Sequence, residues 1–325
     1  MQLHRTLPGL NAVIPSRGGV VTLGNFDGVH LGHQALIRAL HGLAAPLGYA
    51  THVVTFSPHP RDYFAAMGRG APAATVGNVR ERLERLAALG VDHVHLLHFN
   101  HALATISPQE FVARVLVAGC NAKAVVVGRD VRFGHQRAGD LALLQALGKQ
   151  HGFTVHLMED VLQSDSLRIS SSAVRSALQA GDMPSASALL GYDYSIAGRV
   201  IHGRKIGRTL ACHTMNLVPR MANPAFRGIA VVAIDGLGAQ RVYGVASLGL
   251  RPTVEQTTRF SLEVHAFDWA GDAYGKRIRV TMLHKLRDEA AYIDLPTLQV
   301  AIAKDMVDAR AWLGKPFEKS LGHSA

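Results

Sequence analysis

Cysteine is nearly absent from this chain. The two present, Cys120 and Cys212, lie far apart and form no CxxC pair. That argues against a disulfide framework and against a zinc knuckle, and makes a reducing cytoplasm the expected compartment. Long apolar runs are missing too: nothing approaches the roughly 18 residues of a membrane span, so no membrane partner is expected. The opening stretch MQLHRTLPGLNAVIPSRGG has no continuous apolar segment and carries prolines, so no signal peptide is read there. Charge of one sign is not gathered anywhere. The net charge is +10, yet residues 1–190 hold 16 Lys and Arg against 12 Asp and Glu, and residues 191–325 hold 18 against 12. Without a basic block or a basic stripe interleaved with aromatics, the surplus points to anionic small molecules, phosphates, over nucleic acid.

What is present is a chain of 325 residues, 48% hydrophobic and 18% charged, too long for one typical compact domain. Up to about residue 190, β-branched runs alternate with helical patterns: GVVTLG, then a helix over Leu31–Leu43; ATHVVTF, then NVRERLERLAAL; VDHVHLLHF, then SPQEFVARVLV; AKAVVVG, then DLALLQALGKQ; and FTVHLME. Such alternation predicts parallel βαβ units in a doubly wound sheet, with ligands at the C-terminal ends of the strands. After two short helices in SSAVRSALQAGDMPSASALLG, the pattern changes. YSIAGRVIHG, GIAVVAIDGLGAQRVYGVASLG, FSLEVHAFDW and KRIRVTMLHKL read as strands with turn glycines between them, and LPTLQVAIAKDMVDARAWLG returns to helical spacing. A mostly antiparallel β domain closed by one helix is expected there. The expected boundaries are residues 1–185 for the α/β domain, 186–319 for the β domain and 320–325 for a disordered tail.

The densest chemistry lies in TLGNFDGVHLGHQALIRAL, where three glycines, two histidines and one acid stand between an apolar strand and a helix. The expected layout is a strand over Val20–Leu23, a turn over Gly24–Val29 and a helix from Leu31. Backbone amides at a helix start bind anions, and Gly24, Gly28 and Gly32 let the chain approach a phosphate closely. His30 and His33 share a face of the first helical turn and can donate to phosphate oxygens. Other readings stand beside this one. Asp27 fits a turn residue, each histidine alone fits a surface or core position, and two histidines as a metal pair need a third ligand that is not nearby in sequence. Neither a Walker A loop nor GxGxxG is present.

GNFDGVHLGH resembles the nucleotide-binding signature of the HxGH nucleotidylyltransferases, in the form used by bifunctional riboflavin kinase/FAD synthetases. TFSPHPRDYF, VVGRDVRFGHQRAGDLALL, RISSSAVRSALQAGD, GRVIHGRKIGRTL, GLRPTV, LEVHAFDW and YGKRIRV are similar to the same family, in its order, from about residue 18 to 310. The resemblance implies a Rossmann-like nucleotidylyltransferase domain with a parallel sheet, then a barrel-like antiparallel riboflavin kinase domain with a terminal helix. The first domain would join FMN to ATP, giving FAD and pyrophosphate. The second would phosphorylate riboflavin, with Mg2+ as the cofactor.

By the same resemblance His30 and His33, with Gly24, Asn25, Phe26, Asp27 and Gly28, would grip the ATP phosphates of the adenylyltransferase. Arg168, Ser170, Ser171, Ser172 and Arg175 would add to that site, although serine before a helix is also an ordinary N-cap. Asp130, Arg132, Phe133 and Gly134 would hold FMN. In the kinase, Gly203, Lys205, Gly207 and Arg208 resemble a phosphate loop, Thr214 and Asn216 would hold magnesium with ATP, and Arg287 would meet the flavin. Glu263 is the candidate base for the ribityl hydroxyl, because its strand position turns it away from the face of Leu262 and Val264. Read without the family, Glu263 is a solvated acid and Thr214 and Asn216 are polar residues on an exposed strand face. The family form near G-F-P-T-A-N is kept here only at Thr214 and Asn216, with Ala211, Cys212, His213 and Met215 departing from it. An FAD synthetase with an impaired kinase half is the alternative that follows, and a non-catalytic flavin- or nucleic-acid-binding regulator is a third.

Overall fold

The structure, a computed structural model, describes residues 1–5, 17–162, 168–202, 214–251 and 259–314. The chain separates into two compact units, Met1–Val174 and Arg175–Ala325.

In the first unit the elements follow as β1 Gln2–His4, β2 Gly19–Leu23, α1 Leu31–Ala44, β3 Ala50–Ser57, α2 Pro60–Ala66, α3 Val79–Ala88, β4 His93–His98, α4 His101–Thr105, α5 Pro108–Phe111, β5 Ala122–Gly128, α6 Leu141–His151 and β6 Thr154–Met158. α5 runs on as a π-helical segment over Val112–Ala118. α7, Ser171–Ala180, crosses from the first unit into the second. The six strands form one sheet in the order β1-β4-β3-β2-β5-β6, every pair parallel. Both faces of that sheet are covered at its centre, which is why β2 and β5 read as nearly unbroken apolar runs. On one face Val20, Val53 and Val94 pack with Ile37, Leu40 and Leu86 of α1 and α3. On the other, Val21, Val54 and Val125 pack with Phe111, Val115 and Leu144. The strand order reverses between β2 and β5, so the crevice for a ligand falls beyond Leu23 and Gly128.

The second unit begins with α8, Met183–Leu190, and continues with β7 Ser195–Ile201, β8 Thr214–Leu217, β9 Gly228–Asp235, β10 Val242–Arg251, β11 Arg259–Ala266, β12 Arg277–Arg287 and α9 Leu295–Leu313. Its strands close a barrel in the order β10-β11-β8-β7-β12-β9, antiparallel throughout. Closure removes exposed strand edges. α9 starts at Asp294, whose side chain accepts from Thr297 N–H at 2.8 Å, and lays Met306, Ala309, Trp312 and Leu313 on Ile229, Val231, Val245 and Phe267. The architecture is the expected α/β unit with a parallel sheet, followed by an antiparallel barrel with a terminal helix.

Candidate active sites

The turn after β2 is held from several sides. Gly24 N–H donates to Val54 O at 3.0 Å, continuing the strand pairing for one more residue. Phe26 then takes a left-handed conformation (φ 49°), as do Gly28 (φ 77°) and Val29 (φ 42°). For a β-branched valine and a phenylalanine such angles are strained, and they persist only where surroundings over-determine them. Here Phe26 and Val29 are fully buried, and Asp27, 6% exposed, accepts Val76 N–H at 2.9 Å and Gly77 N–H at 3.3 Å. Beneath the turn Arg82 of α3 points inward, its Nη1 donating to Asn25 O at 2.7 Å, Thr55 Oγ1 at 2.8 Å and Phe56 O at 3.2 Å. Burial lowers its pKa from the ordinary value and the Asp27 charge opposes that shift, but an arginine stays charged throughout.

His30 is the N-cap of α1. Its Nδ1 accepts from His33 N–H at 3.4 Å, so in the neutral ring the proton sits on Nε2 as a donor. The His30 and His33 rings stack with centroids 3.7 Å apart, and His33 also lies against Phe26 at 4.8 Å. Gly32 makes room for this arrangement, since a Cβ there would come within 3.1 Å of His30 Nδ1 and 3.2 Å of Ile169 O. Ser170 caps α7 by accepting Ala173 N–H at 3.2 Å, and Ser171 Oγ donates to Asp27 O at 3.3 Å. The sequence-remote 168–172 segment therefore meets the turn after β2. Arg168 bridges two acids beyond the sheet, Asp130 at 2.5 Å and Asp160 at 3.1 Å. Arg132 is exposed, and its Nη1 donates to its neighbour's carbonyl, Val131 O, at 2.9 Å. Phe133 is 5% exposed, packed on Phe111 at 5.8 Å, and closes a tight turn with Gly139. Its ring belongs to the core, and Gly134 (φ 72°) sits hard against Pro108.

In the barrel, β8 and β11 pair so that Asn216 stands opposite Glu263 and Thr214 opposite His265. β10 flanks the other side, with Ser247 opposite Glu263. Leu262 and Val264 are fully buried and Glu263 half-buried, as the alternation predicts. Asn216 is 5% exposed. A second acid lies close by: the Glu289 carboxyl occupies the space that a side chain on Gly249 would fill. Burial raises its pKa above the ordinary value and the Glu263 charge adds to this, against the Leu250 backbone bond and the charges of Arg227 and Arg287. Arg287 itself is tied to Asp305, through Nε at 2.7 Å and Nη2 at 2.6 Å, with Nη1 donating to Asp288 O. That geometry braces β12 on α9. Gly203, Lys205, Gly207, Arg208, Ala211, Cys212 and His213, and the 320–325 tail, lie outside the described residues.

Residues 14–173 match the family described as FAD synthetase, and residues 190–313 match riboflavin kinase. A bifunctional riboflavin kinase/FMN adenylyltransferase of Pseudomonas fluorescens is 43% identical over 316 residues, covering 96% of this chain and 97% of its own length. The chain belongs to the bifunctional riboflavin kinase/FMN adenylyltransferase family. The Escherichia coli (strain K12) protein of the same name is 38% identical, over 97% of this chain and 98% of its own. A crystal structure of a Streptococcus pneumoniae protein described as a macrolide-efflux protein is similar at a TM-score of 0.72 and 29% identity, covering 92% of this chain and 96% of that one. Among the described residues of this family member, no helix is long and apolar enough to cross a membrane.

Arg82 and Glu289 escaped the sequence reading. Arg82 sits in a helix with several other charges, and nothing in NVRERLERL marks which arginine turns inward. Glu289 follows a strand at a position with no motif around it; Gly249 is its complement on β10, visible only once the strands are paired.

Proposed function

We infer that this chain phosphorylates riboflavin to FMN with one ATP and adenylylates FMN to FAD with a second, releasing pyrophosphate. The observation that carries this reading is the tandem match of the two families in one chain, whose full-length relatives carry both activities in their name. We assign adenylylation to residues 1–185 and phosphorylation to residues 186–319.

In adenylylation the nucleophile is already present. A phosphomonoester has a second pKa of about 6, so FMN reaches neutral pH as a dianion and needs no general base. The protein has to hold two polyanions together and stabilise charge on the departing pyrophosphate. The parts assembled after β2 suit that work. His30 Nε2–H is a donor whose tautomer is set by its Nδ1 acceptance, and the amides of the strained turn supply further donors. We propose that His30 and His33, with Gly24, Asn25, Gly28 and Ser172, grip ATP. Asp27 and Ser171 act through the shape of the turn they fasten. Asp130 and Arg132, beyond β5, are the proposed FMN contacts, and Arg168 and Arg175 are proposed to add to the ATP site.

Phosphorylation starts from a poorer nucleophile, the ribityl hydroxyl, and a positioned carboxylate is useful there. Glu263 is the proposed base. The oxygen donors near it, Thr214 and Asn216, would suit a hard cation such as Mg2+, which takes oxygen ligands and few of them from protein. When bound, the ion would neutralise phosphate charge as the leaving group develops. Lys205 and Arg208 remain proposed phosphate contacts. We assign the enzyme to the cytoplasm with small-molecule substrates as its partners, since its charge is dispersed and its two cysteines form no framework.

The experiment is to incubate purified protein with riboflavin and MgATP and separate the flavins. FMN and FAD together are expected. FAD formed only from added FMN would leave the barrel without kinase activity, and no FAD from FMN would overturn the assignment of the first unit.

A further inference from the structure

Neither reaction uses the N-terminal end of the parallel sheet, opposite the turn after β2, yet that end holds four histidines and a cysteine. His4 of β1, His93 and His95 of β4, and His52 of β3 share one face, because His4 pairs with His95 and His52 with His93 in the strand register. Their rings stack in a block. His4 lies 4.7 Å from His95, His52 lies 4.6 Å from His93 and 5.2 Å from His95, all within 18° of parallel. His52 Nδ1 and His95 Nε2 are 2.9 Å apart, and His4 Nε2 and His93 Nδ1 are 3.1 Å apart.

The inner pair is sealed, with His52 1% and His95 2% exposed, and its outward nitrogens, His52 Nε2 and His95 Nδ1, have no hydrogen-bond partner. If one ring donates to the other, a buried lone pair is left on the first and a buried N–H on the second, each costing about 1–3 kcal/mol. Cys120, fully buried just before β5, reaches the same place. One ligand atom each from His52, His95 and Cys120 all lie within 4.8 Å of one another. β2 separates β3 from β5, and only its first residue, Gly19, permits the approach. A Cβ there would collide with Cys120 O and come within 2.8 Å of His52 Cδ2.

We propose that His52, His95 and Cys120 form a buried zinc site in the sheet of the adenylyltransferase unit. Two imidazoles and a thiolate are an ordinary zinc donor set, and a tetrahedral ion with bonds of about 2.0–2.3 Å holds its ligand atoms roughly 3.3–3.8 Å apart. Rotation of the three side chains by about an ångström at their tips would close the set. Metal binding would replace the ring-to-ring hydrogen bond, each neutral imidazole giving the ion its one lone pair and keeping its proton on the other nitrogen. Burial and the neighbouring rings hold His52 at about 2 and His95 at about 3, so both are neutral lone-pair donors at neutral pH. Burial pushes the Cys120 thiol up, so it enters as S–H. The step therefore exchanges a proton for the metal: the S–H bond breaks, the sulfur keeps the electron pair and donates it to Zn2+, and one proton leaves to water. The half-buried His4 and His93 stack on His95 and His52 and would be the source of a fourth donor. The occupied site would pin β3 and β4 to the start of β5 across β2.

The test uses full-length protein stripped with a chelator and titrated with Co2+ as a spectroscopic substitute for Zn2+. One cobalt per chain is expected, with a thiolate-to-cobalt charge-transfer band in the near ultraviolet and the visible bands of a tetrahedral ion, all displaced by Zn2+. The charge-transfer band should vanish in Cys120→Ala and persist in Cys212→Ala. No such band in the unmodified protein, or one that survives Cys120→Ala, overturns the proposal. Should Cys120→Ala fail to fold, alkylation of Cys120 in the unmodified protein decides the matter. Free zinc at 100 times its Kd should slow that reaction about a hundredfold by mass action, and an unchanged rate refutes the site.

Discussion

Arg82 offers the sharpest test of how the adenylyltransferase turn is built. Its Nη1 faces three acceptors, Asn25 O, Thr55 Oγ1 and Phe56 O, at 2.7, 2.8 and 3.2 Å. One Nη carries two hydrogens, so at most two of these are full bonds and the third is shared. Bonds from a charged donor contribute about 1.5–3 kcal/mol each, and stripping the cation also removes a positive charge that interacts with the buried Asp27. Arg82→Met fills the volume and removes the donors, so the first unit should lose about 3–5 kcal/mol, the usual cost of breaking a buried ionic arrangement. The effect on chemistry follows from Asn25. Its carbonyl lies between Gly24 and the strained Phe26, and a turn displaced by an ångström would misplace the groups proposed to orient ATP, which costs about a hundredfold in rate. The assay is FMN-dependent pyrophosphate release with MgATP, with riboflavin phosphorylation run beside it as a control for folding. As a positioning residue, Arg82 should move kcat far more than the KM for ATP, and Arg82→Lys, which keeps the charge but reaches fewer acceptors, should fall between. A folded Arg82→Met with unchanged adenylylation would refute the reasoning. So would a large rise in KM at unchanged kcat, which would make Arg82 a direct phosphate contact.

His30→Ala should abolish FAD formation and leave FMN formation from riboflavin nearly intact; equal loss of both in a flavin-separation assay would contradict separate sites. Glu263→Gln should slow riboflavin phosphorylation by about 10²–10⁴, the range of a general base, with adenylylation untouched, and an unchanged rate removes Glu263 from the mechanism. Asp182 caps α8 by accepting Ser185 N–H at 3.0 Å, and its bonds to Ser185 hold its pKa below the ordinary carboxylate value of 3.8. A depressed carboxylate stabilises the fold above that value and loses the contribution as pH falls through its folded pKa. Asp182→Ala should therefore be about 1 kcal/mol less stable at neutral pH, with urea curves that converge with those of the unmodified protein below pH 3.8. A constant difference down to strong acid would assign the loss to something other than the charged cap.

The first unit was legible because its physics is local. A strand buried on both faces reads as GVVTL or AKAVVVG whatever lies beside it, and the glycine-histidine turn stands out by composition alone. The barrel was legible as strands with turn glycines, and its Glu263 as an alternation. Other features have no local signature. β1 is three residues long and exists only because β4 offers an edge. The expected helix SPQEFVARVLV is helical throughout, but widens into a π-turn over Val112–Ala118 that periodicity does not reveal. The pairing of Arg287, which is proposed at the flavin, with Asp305 18 residues away is likewise invisible to local pattern.

The histidine cluster shows most clearly why such features stay hidden. Metal ligands are sought in sequence by spacing, and by that test the two distant cysteines exclude a knuckle and His30 with His33 lack a third donor. Yet the sheet itself is a device for removing spacing. Parallel strands set His52 beside His95, 43 positions apart, and bring Cys120 within reach of both. The glycines that drew attention were Gly24, Gly28 and Gly32, because they surround a motif. Gly19, which has none, is the residue whose missing side chain lets that grouping form. Gly19→Ala therefore separates the two ends of one strand. It should disturb the cysteine end, where its Cβ has no room, and lower stability measured by urea unfolding by about 1–3 kcal/mol, the cost of overpacking. The turn beyond Leu23 lies at the other end of β2, so adenylylation by the folded fraction should persist. Unchanged stability would mean that the approach of Cys120 to His52 is looser than the strand register implies.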